Sequence, residues 1–210
     1  MGRHKGYDRD RALEAARDLF WERGYEATSI TELEQRTGLN RSSLYQEFGS
    51  KHDLFEAALE CYADRVITNV LAVLRDESKP GLDSVIALFS EHAQLFLHAP
   101  VNVRGCLLVN TTAELAARDE RVRPAAAGYR DRLRADFTAA LTRAVDEGEL
   151  EPALVESRAQ ILASALMGAW LTVRIDPRDA SQLCETIARD VDSWRTTNQP
   201  NPQTTAPPRR

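Results

Sequence analysis

Between residues 28 and 51 the chain reads TSITELEQRTGLNRSSLYQEFGSK. This stretch concentrates side chains that bind anions and base edges rather than side chains that make or break covalent bonds. Arg41 stands where a helix would start and can reach a guanine edge or a phosphate. Ser42 and Ser43 are short and let the helix that carries them lie deep in a groove. Thr28 and Lys51 flank that helix and fit phosphates, and Arg36 is a further phosphate candidate. Lys51 falls in the first turn of a following helix, where a cation opposes the helix dipole. A phosphate shared between Lys51 and that helix N-terminus would reverse the penalty.

Other chemistry is poorly represented. There is no nucleophile elbow and no phosphate loop. Glu91 and His92 are adjacent and cannot share a helix face. Cys61, Cys106 and Cys184 lie far apart, which suits a reducing compartment, and no Cys/His pair has metal-ligand spacing. The expectation is a protein that is not an enzyme, with no metal and no cofactor. No run of about 18 apolar residues suggests a membrane span, and MGRHKGYDRDR at the N-terminus lacks an apolar segment behind it, so a cytoplasmic location is expected.

The net charge is −5 over 210 residues. Taken whole, that disfavours nucleic acid. Its distribution matters more: residues 1–52 hold nine Lys/Arg and nine Asp/Glu, and the rest of the chain holds 18 and 23. A neutral module binds DNA if its cations share one face.

The elements that must position these residues follow from spacing. Ala12, Leu13, Ala16, Leu19 and Phe20 form one helical stripe over 9–23, ended by Gly24. Thr28 or Ser29 can cap the next helix, with Glu32 at capping-box distance from Ser29, and Gly38 ends it. Asn40 caps a third helix, Arg41 to Phe48, with Leu44 and Phe48 inward. This is a helix-turn-helix with a small-residue outer face. A long helix from Ser50 to Arg75 follows. Further helices are expected over 82–98, 105–113, 119–148, 152–174 and 179–194. Thr196 onward is rich in threonine and proline and reads as a disordered tail, and residues 2–8 read as a polar arm. The fold class is all-α.

The segment from Arg9 to about Tyr62 closely resembles the DNA-binding domain of the TetR family of transcriptional regulators. The matching residues are Ala15-Ala16-Arg17-Asp18-Leu19-Phe20, Gly24-Tyr25, Thr28-Ser29-Ile30, Gly38, Leu44-Tyr45, Phe48, Lys51 and Leu54-Phe55. The rest of the chain is similar in length and helix plan. The resemblance implies an N-terminal three-helix DNA-binding domain (1–52), a six-helix effector-binding and dimerisation domain (53–195) and a tail (196–210). It assigns Tyr45 to the DNA backbone.

It also implies a small-molecule pocket among the middle helices. Tyr62, Val66, Phe89, His92, Phe96, Cys106, Val109, Asn110, Tyr129 and Trp170 are the candidate lining, mostly apolar or aromatic, as a hydrophobic or aromatic effector would need. The run Arg104-Gly-Cys-Leu-Leu-Val-Asn-Thr-Thr looks like a branch of the family in which some members sense electrophiles through this cysteine. A helix N-terminus, and Arg104 if close, would lower the Cys106 thiol pKa, whereas a buried Cys106 would be inert. The last two helices are the implied homodimer surface, with Ala165 and Ala169 permitting close approach and Leu166, Leu183, Ile187 and Val191 supplying apolar area. The implied partners are double-stranded DNA, a second copy of the chain and a small-molecule effector. The implied function is a ligand-released repressor on a palindromic operator. The alternatives are an activator of the same fold, or a helical ligand-binding protein without DNA binding.

Overall fold

A computed structural model describes residues 8–100 and 102–195. The polar arm and the tail from Thr196 lie outside the described residues, apart from Asp8. The described residues form an all-helical chain: α1 Arg9–Arg23, α2 Ile30–Thr37, α3 Arg41–Phe48, α4 Lys51–Tyr62, α5 Gly81–Leu97, α6 Leu107–Leu115, α7 Arg123–Asp146, α8 Val155–Thr172 and α9 Pro177–Asp192.

The local signals for the first four helices act as caps. Asp8 accepts from the N–H groups of Asp10 and Arg11 and starts α1. Ser29, not Thr28, caps α2, and its reciprocal partner is Glu32. Asn40 accepts from the Ser43 N–H at 2.9 Å and starts α3. Ser50 and Asp53 form a second capping box at the start of α4. Each cap satisfies N–H groups that have no partner within the helix, a contribution of about 1 kcal/mol per cap. Gly38 ends α2 at φ 73°, ψ 8°, a left-handed conformation that costs other residues strain.

One expectation fails in α4. The sequence predicts a regular helix to Arg75. The chain instead widens into a π turn over Ala63–Ile67, where the Thr68 N–H bonds the Ala63 carbonyl five residues back. The Thr68 hydroxyl donates to the same carbonyl at 3.2 Å. The path runs on helically through Thr68–Val70 and tightens into a 3-10 turn over Ala72–Arg75. The widening turns Ile67, Leu71 and Leu74 into the core, where all three are buried. Ile67, Leu71 and Leu74 stand at i, i+4 and i+7, one helix face, and the wide turn brings that face into line with buried Leu59 and Tyr62 before it.

The core runs unbroken from the DNA-binding unit into the rest. Phe20 meets Phe55 edge to face at 4.9 Å, joining α1 to α4, and Phe89 stacks on Phe137, joining α5 to α7. α9 lies along α5, with Ser181 donating to the Ala93 carbonyl at 2.8 Å. Pro124 sits in the first turn of α7, where its missing N–H has no helical partner to lose.

Candidate nucleic-acid interface

The outer face of α3 is built by elimination. Leu44 and Phe48 are buried in the core, and the helix packs on α2 and α4. Arg41, Ser42, Tyr45 and Gln46 are exposed, and Ser43 is half-buried. Tyr45 is 43% exposed although aromatic, so its ring meets water rather than core. Among the described residues no ion pair takes the Arg41 guanidinium. The backbone N–H of Arg41 donates to Glu34 Oε1 at 2.5 Å, which ties the start of α3 to α2. The sequence reasoning omitted Gln46. The signal was present: Gln46 lies four residues beyond Ser42, so an inward Leu44 and Phe48 place it on the same outer face.

The flanking candidates differ from expectation. Thr28 is 1% exposed and its hydroxyl donates to the Gly24 carbonyl at 2.7 Å. That hydroxyl is turned inward and closes the turn between α1 and α2, so it is not placed to meet a phosphate. Lys51 does lie in the first turn of α4. Its ammonium donates to the Tyr25 carbonyl at 2.7 Å and stands 4.3 Å from the centre of the Tyr25 ring. Those contacts offset the opposing dipole within the fold. Burial holds the Lys51 pKa below its ordinary value. Arg36 is exposed but pairs with Glu22 at 2.6 Å.

The ten candidate effector residues do not share one cavity. Tyr129 borders a space of about 210 Å³ beside the π turn, with Leu59, Ile67 and Leu108. Asn110 borders one of about 400 Å³ between α6 and the α1–α2 turn. Phe96 and Trp170 border a cleft of about 550 Å³ beside Trp21. Tyr62, Phe89, His92 and Val109 are core, and Val66 is half-buried in the π turn.

Cys106 is fully buried, with its sulfur 3.8 Å from the Tyr129 hydroxyl. It stands at the N-cap position of α6, close to the helix start as the sequence suggests, but its side chain makes no capping hydrogen bond. Burial nevertheless pushes the thiol up, against the lowering by the Val109 N–H, the Tyr62 and Tyr129 hydroxyls and the Leu108 N–H. The Arg104 guanidinium has been drawn away to Glu22, 2.5 Å distant.

The sequence and the architecture are matched by known proteins. Residues 12–58 fit the family model described as bacterial regulatory proteins, tetR family. Residues 81–189 fit the tetracyclin repressor-like C-terminal domain. The chain belongs to the TetR family. Its relatives include the uncharacterised regulator YezE of Bacillus subtilis (strain 168), 32% identical over 71% of this chain and 76% of YezE. The repressor ComR of Escherichia coli (strain K12) is 38% identical over 55% of this chain, a match spanning about half of ComR (54%). A cysteine-substituted form of the TetR family regulator CifR, solved with 26-bp double-strand operator DNA, is 31% identical. It has a TM-score of 0.75 and covers 92% of this chain and 100% of its own. Like other members of its family, this chain is a DNA-binding transcriptional regulator.

In this TetR-family chain the expected dimer residues divide. Leu166, Ala169 and Val191 are buried within the protomer and supply its own core. Ala165, Leu183 and Ile187 are half-buried. The apolar side chains left outside are ones the sequence reading passed over: Ile161 at 63%, Leu171 at 40% and Ile175 at 88%. Ile161 and Leu171 form, with Ser164 and Gly168, one outward stripe along α8 at spacings of three and four residues, and Ile175 follows in the turn after it. Among the described residues no helix is long and apolar enough to cross a membrane, and no group of three or more His, Cys, Asp and Glu is arranged to hold a metal ion.

Proposed function

We propose that the chain acts as a repressor that binds a near-palindromic operator as a homodimer and leaves it when a small molecule binds. The observation that carries this reading is the exposed α3 face, Arg41, Ser42, Tyr45 and Gln46, held on a scaffold in which every neighbouring helix start is capped. A rigid helix with short residues beside an unpaired arginine fits a major groove. Lys51 and Arg36 serve the phosphates, Arg36 by leaving Glu22. One such helix reads few base pairs, so two copies are required. The outward stripe on α8, with half-buried Leu183 and Ile187 on α9, supports the pairing surface. Release follows if the effector favours a dimer whose recognition helices no longer match the half-site spacing of about 34–36 Å.

The test is a titration of the full-length protein against DNA fragments selected from its genome, at several salt concentrations. The expected result is tight, salt-dependent binding to a near-palindrome, with log affinity falling about 0.9 per phosphate neutralised. Arg41→Ala and Gln46→Ala are expected to cost about 1–3 kcal/mol if they reach base edges, and to relax selectivity at single positions. Failure to select any fragment would sink the reading. An activator would bind equally well and raise rather than lower transcription of a reporter placed downstream.

A further inference from the structure

The cleft beside Trp21 lies between the DNA-binding unit and the effector domain, about 550 Å³ in volume. Its walls include Trp21, Leu95, Phe96, Trp170 and Arg104. Phe96 and Trp170 meet edge to face at 4.8 Å. Buried His92 backs both rings, 5.7 Å from Phe96 and 5.4 Å from Trp170. His98 also lines the space, with Nδ1 on the Gln94 carbonyl at 2.8 Å. Among the described residues no carboxylate lines the cleft, and Arg104 is the one permanently charged group on it. The volume falls within the usual range for small-molecule sites, about 300–1,000 Å³.

Two of these wall residues also fasten the DNA-binding unit. The Trp21 indole N–H donates to the Gly105 carbonyl at 3.0 Å. The Arg104 guanidinium stands 5.6 Å from the centre of the Trp21 ring and pairs with Glu22. Glu22 in turn holds Arg36 of α2. One carboxylate therefore links the effector domain to the helix-turn-helix. Gly105 leaves little room for rearrangement, since a Cβ there would sit 2.9 Å from the Trp170 carbonyl oxygen and its φ is +72°.

The geometry points to this cleft as a regulatory site for aromatic carboxylates. The ring lies against Trp21, Phe96 and Trp170, and the carboxylate takes the Arg104 fork in place of Glu22. A planar guanidinium recognises a carboxylate through two parallel bonds, which a neutral ligand cannot reproduce. Losing Arg104, Glu22 keeps only Arg36, and the DNA-binding unit is loosened from the effector domain. The regulatory half of this proposal rests on the function proposed above; the binding half does not.

Full-length protein is titrated calorimetrically with 2-naphthoate, and with 2-naphthamide as the neutral counterpart. Operator affinity is measured with and without each. 2-Naphthoate is expected to bind and to weaken operator binding about tenfold. Arg104→Gln should weaken 2-naphthoate about tenfold while leaving 2-naphthamide unchanged. Arg104→Lys should recover part of the loss. Trp170→Leu, checked for an intact thermal melt, should weaken both ligands. Absence of 2-naphthoate binding at millimolar concentration, or equal affinity in Arg104→Gln, overturns the site. Binding with no change in operator affinity overturns its regulatory role. A protein that binds 2-naphthoate as described but selects no DNA leaves the site standing and removes the repressor reading instead.

Discussion

The carboxylate of Glu114 in α6 accepts a hydrogen bond from the backbone N–H of Glu26 at 3.0 Å, across the junction between the effector domain and the α1–α2 turn. Its second oxygen lies 3.4 Å from the Tyr25 N–H. These donors sit in a turn where the chain offers them no helical partner, so the contact is charge-assisted and fixes the turn to α6. With the Trp21–Gly105 bond it adds polar fastenings to the apolar core that runs between the two parts.

Replacing Glu114 by alanine should therefore weaken the docking of the DNA-binding unit more than the effector domain. The expected loss in urea unfolding is about 1–2 kcal/mol, at the lower end because the carboxylate is only half-buried. Hydrogen exchange should accelerate at Tyr25 and Glu26 first. Uniform acceleration along the chain would mean that the two parts unfold as one and that the contact is not a local fastening.

Gly38 allows a cleaner test of backbone strain. A Cβ there would meet nothing within 4 Å, so Gly38→Ala adds no clash. What it adds is an alanine at φ +73°. The cost should be about 1 kcal/mol, lowered stability with no change in the cooperativity of unfolding. A neutral or stabilising result in chemical denaturation would show that the α2–α3 turn changes conformation to suit the side chain.

The helix plan was legible because its signals are local. Ser29 with Glu32, Asn40, and Gly38 each act within four residues, and the stripes from Ala12 to Phe20 and from Leu44 to Phe48 repeat at helical spacing. The π turn at Ala63–Ile67 was not legible, since it depends on how Ile67, Leu71 and Leu74 meet the rest of the core. The site residues divide the same way. Ser42 and Tyr45 could be placed outward from Leu44 and Phe48, whereas Arg41, three residues before Leu44, is exposed because it opens the helix. The inward turn of Thr28, the pairing of Arg36 with Glu22 and the scatter of the effector candidates over three spaces depend on partners remote in sequence. Glu114, 88 positions beyond Glu26, carried no sequence signal at all.

Asp53 predicts an acid response at the start of α4. The Ser50 hydroxyl, donating at 2.7 Å, and then the Arg121 guanidinium hold its carboxyl at about 2, below the ordinary 3.8. A depressed folded-state value means that the cap contributes fully above the unfolded value and is lost as pH falls through the folded one. The window runs from about pH 4 to about pH 2. Carboxyl carbon shifts followed by NMR should give an Asp53 midpoint near the low end, and Ser50→Ala should move it upward. An Asp53 titrating at its ordinary value in the folded protein would remove both the capping box and the Arg121 pairing as sources of its charge preference.

Cys106 brings two opposed effects into direct competition. At the N-cap position of α6 it faces the N–H groups of Val109 and Leu108, which favour a thiolate, and this is the effect the sequence suggests. Burial outweighs them and pushes the thiol up, and Cys184 is likewise pushed up to about 12 by burial alone. Reaction requires both a thiolate and access, and Cys106 has neither in this conformation. Iodoacetamide at mildly alkaline pH should therefore label Cys106 and Cys184 no faster than the protein opens, with the rate rising steeply in urea. Peptide mass spectrometry resolves the sites. Rapid native labelling confined to Cys106 would mean that α6 lifts from Tyr62 and Tyr129 without global unfolding, and it would return this cysteine to contention as a sensor of electrophiles.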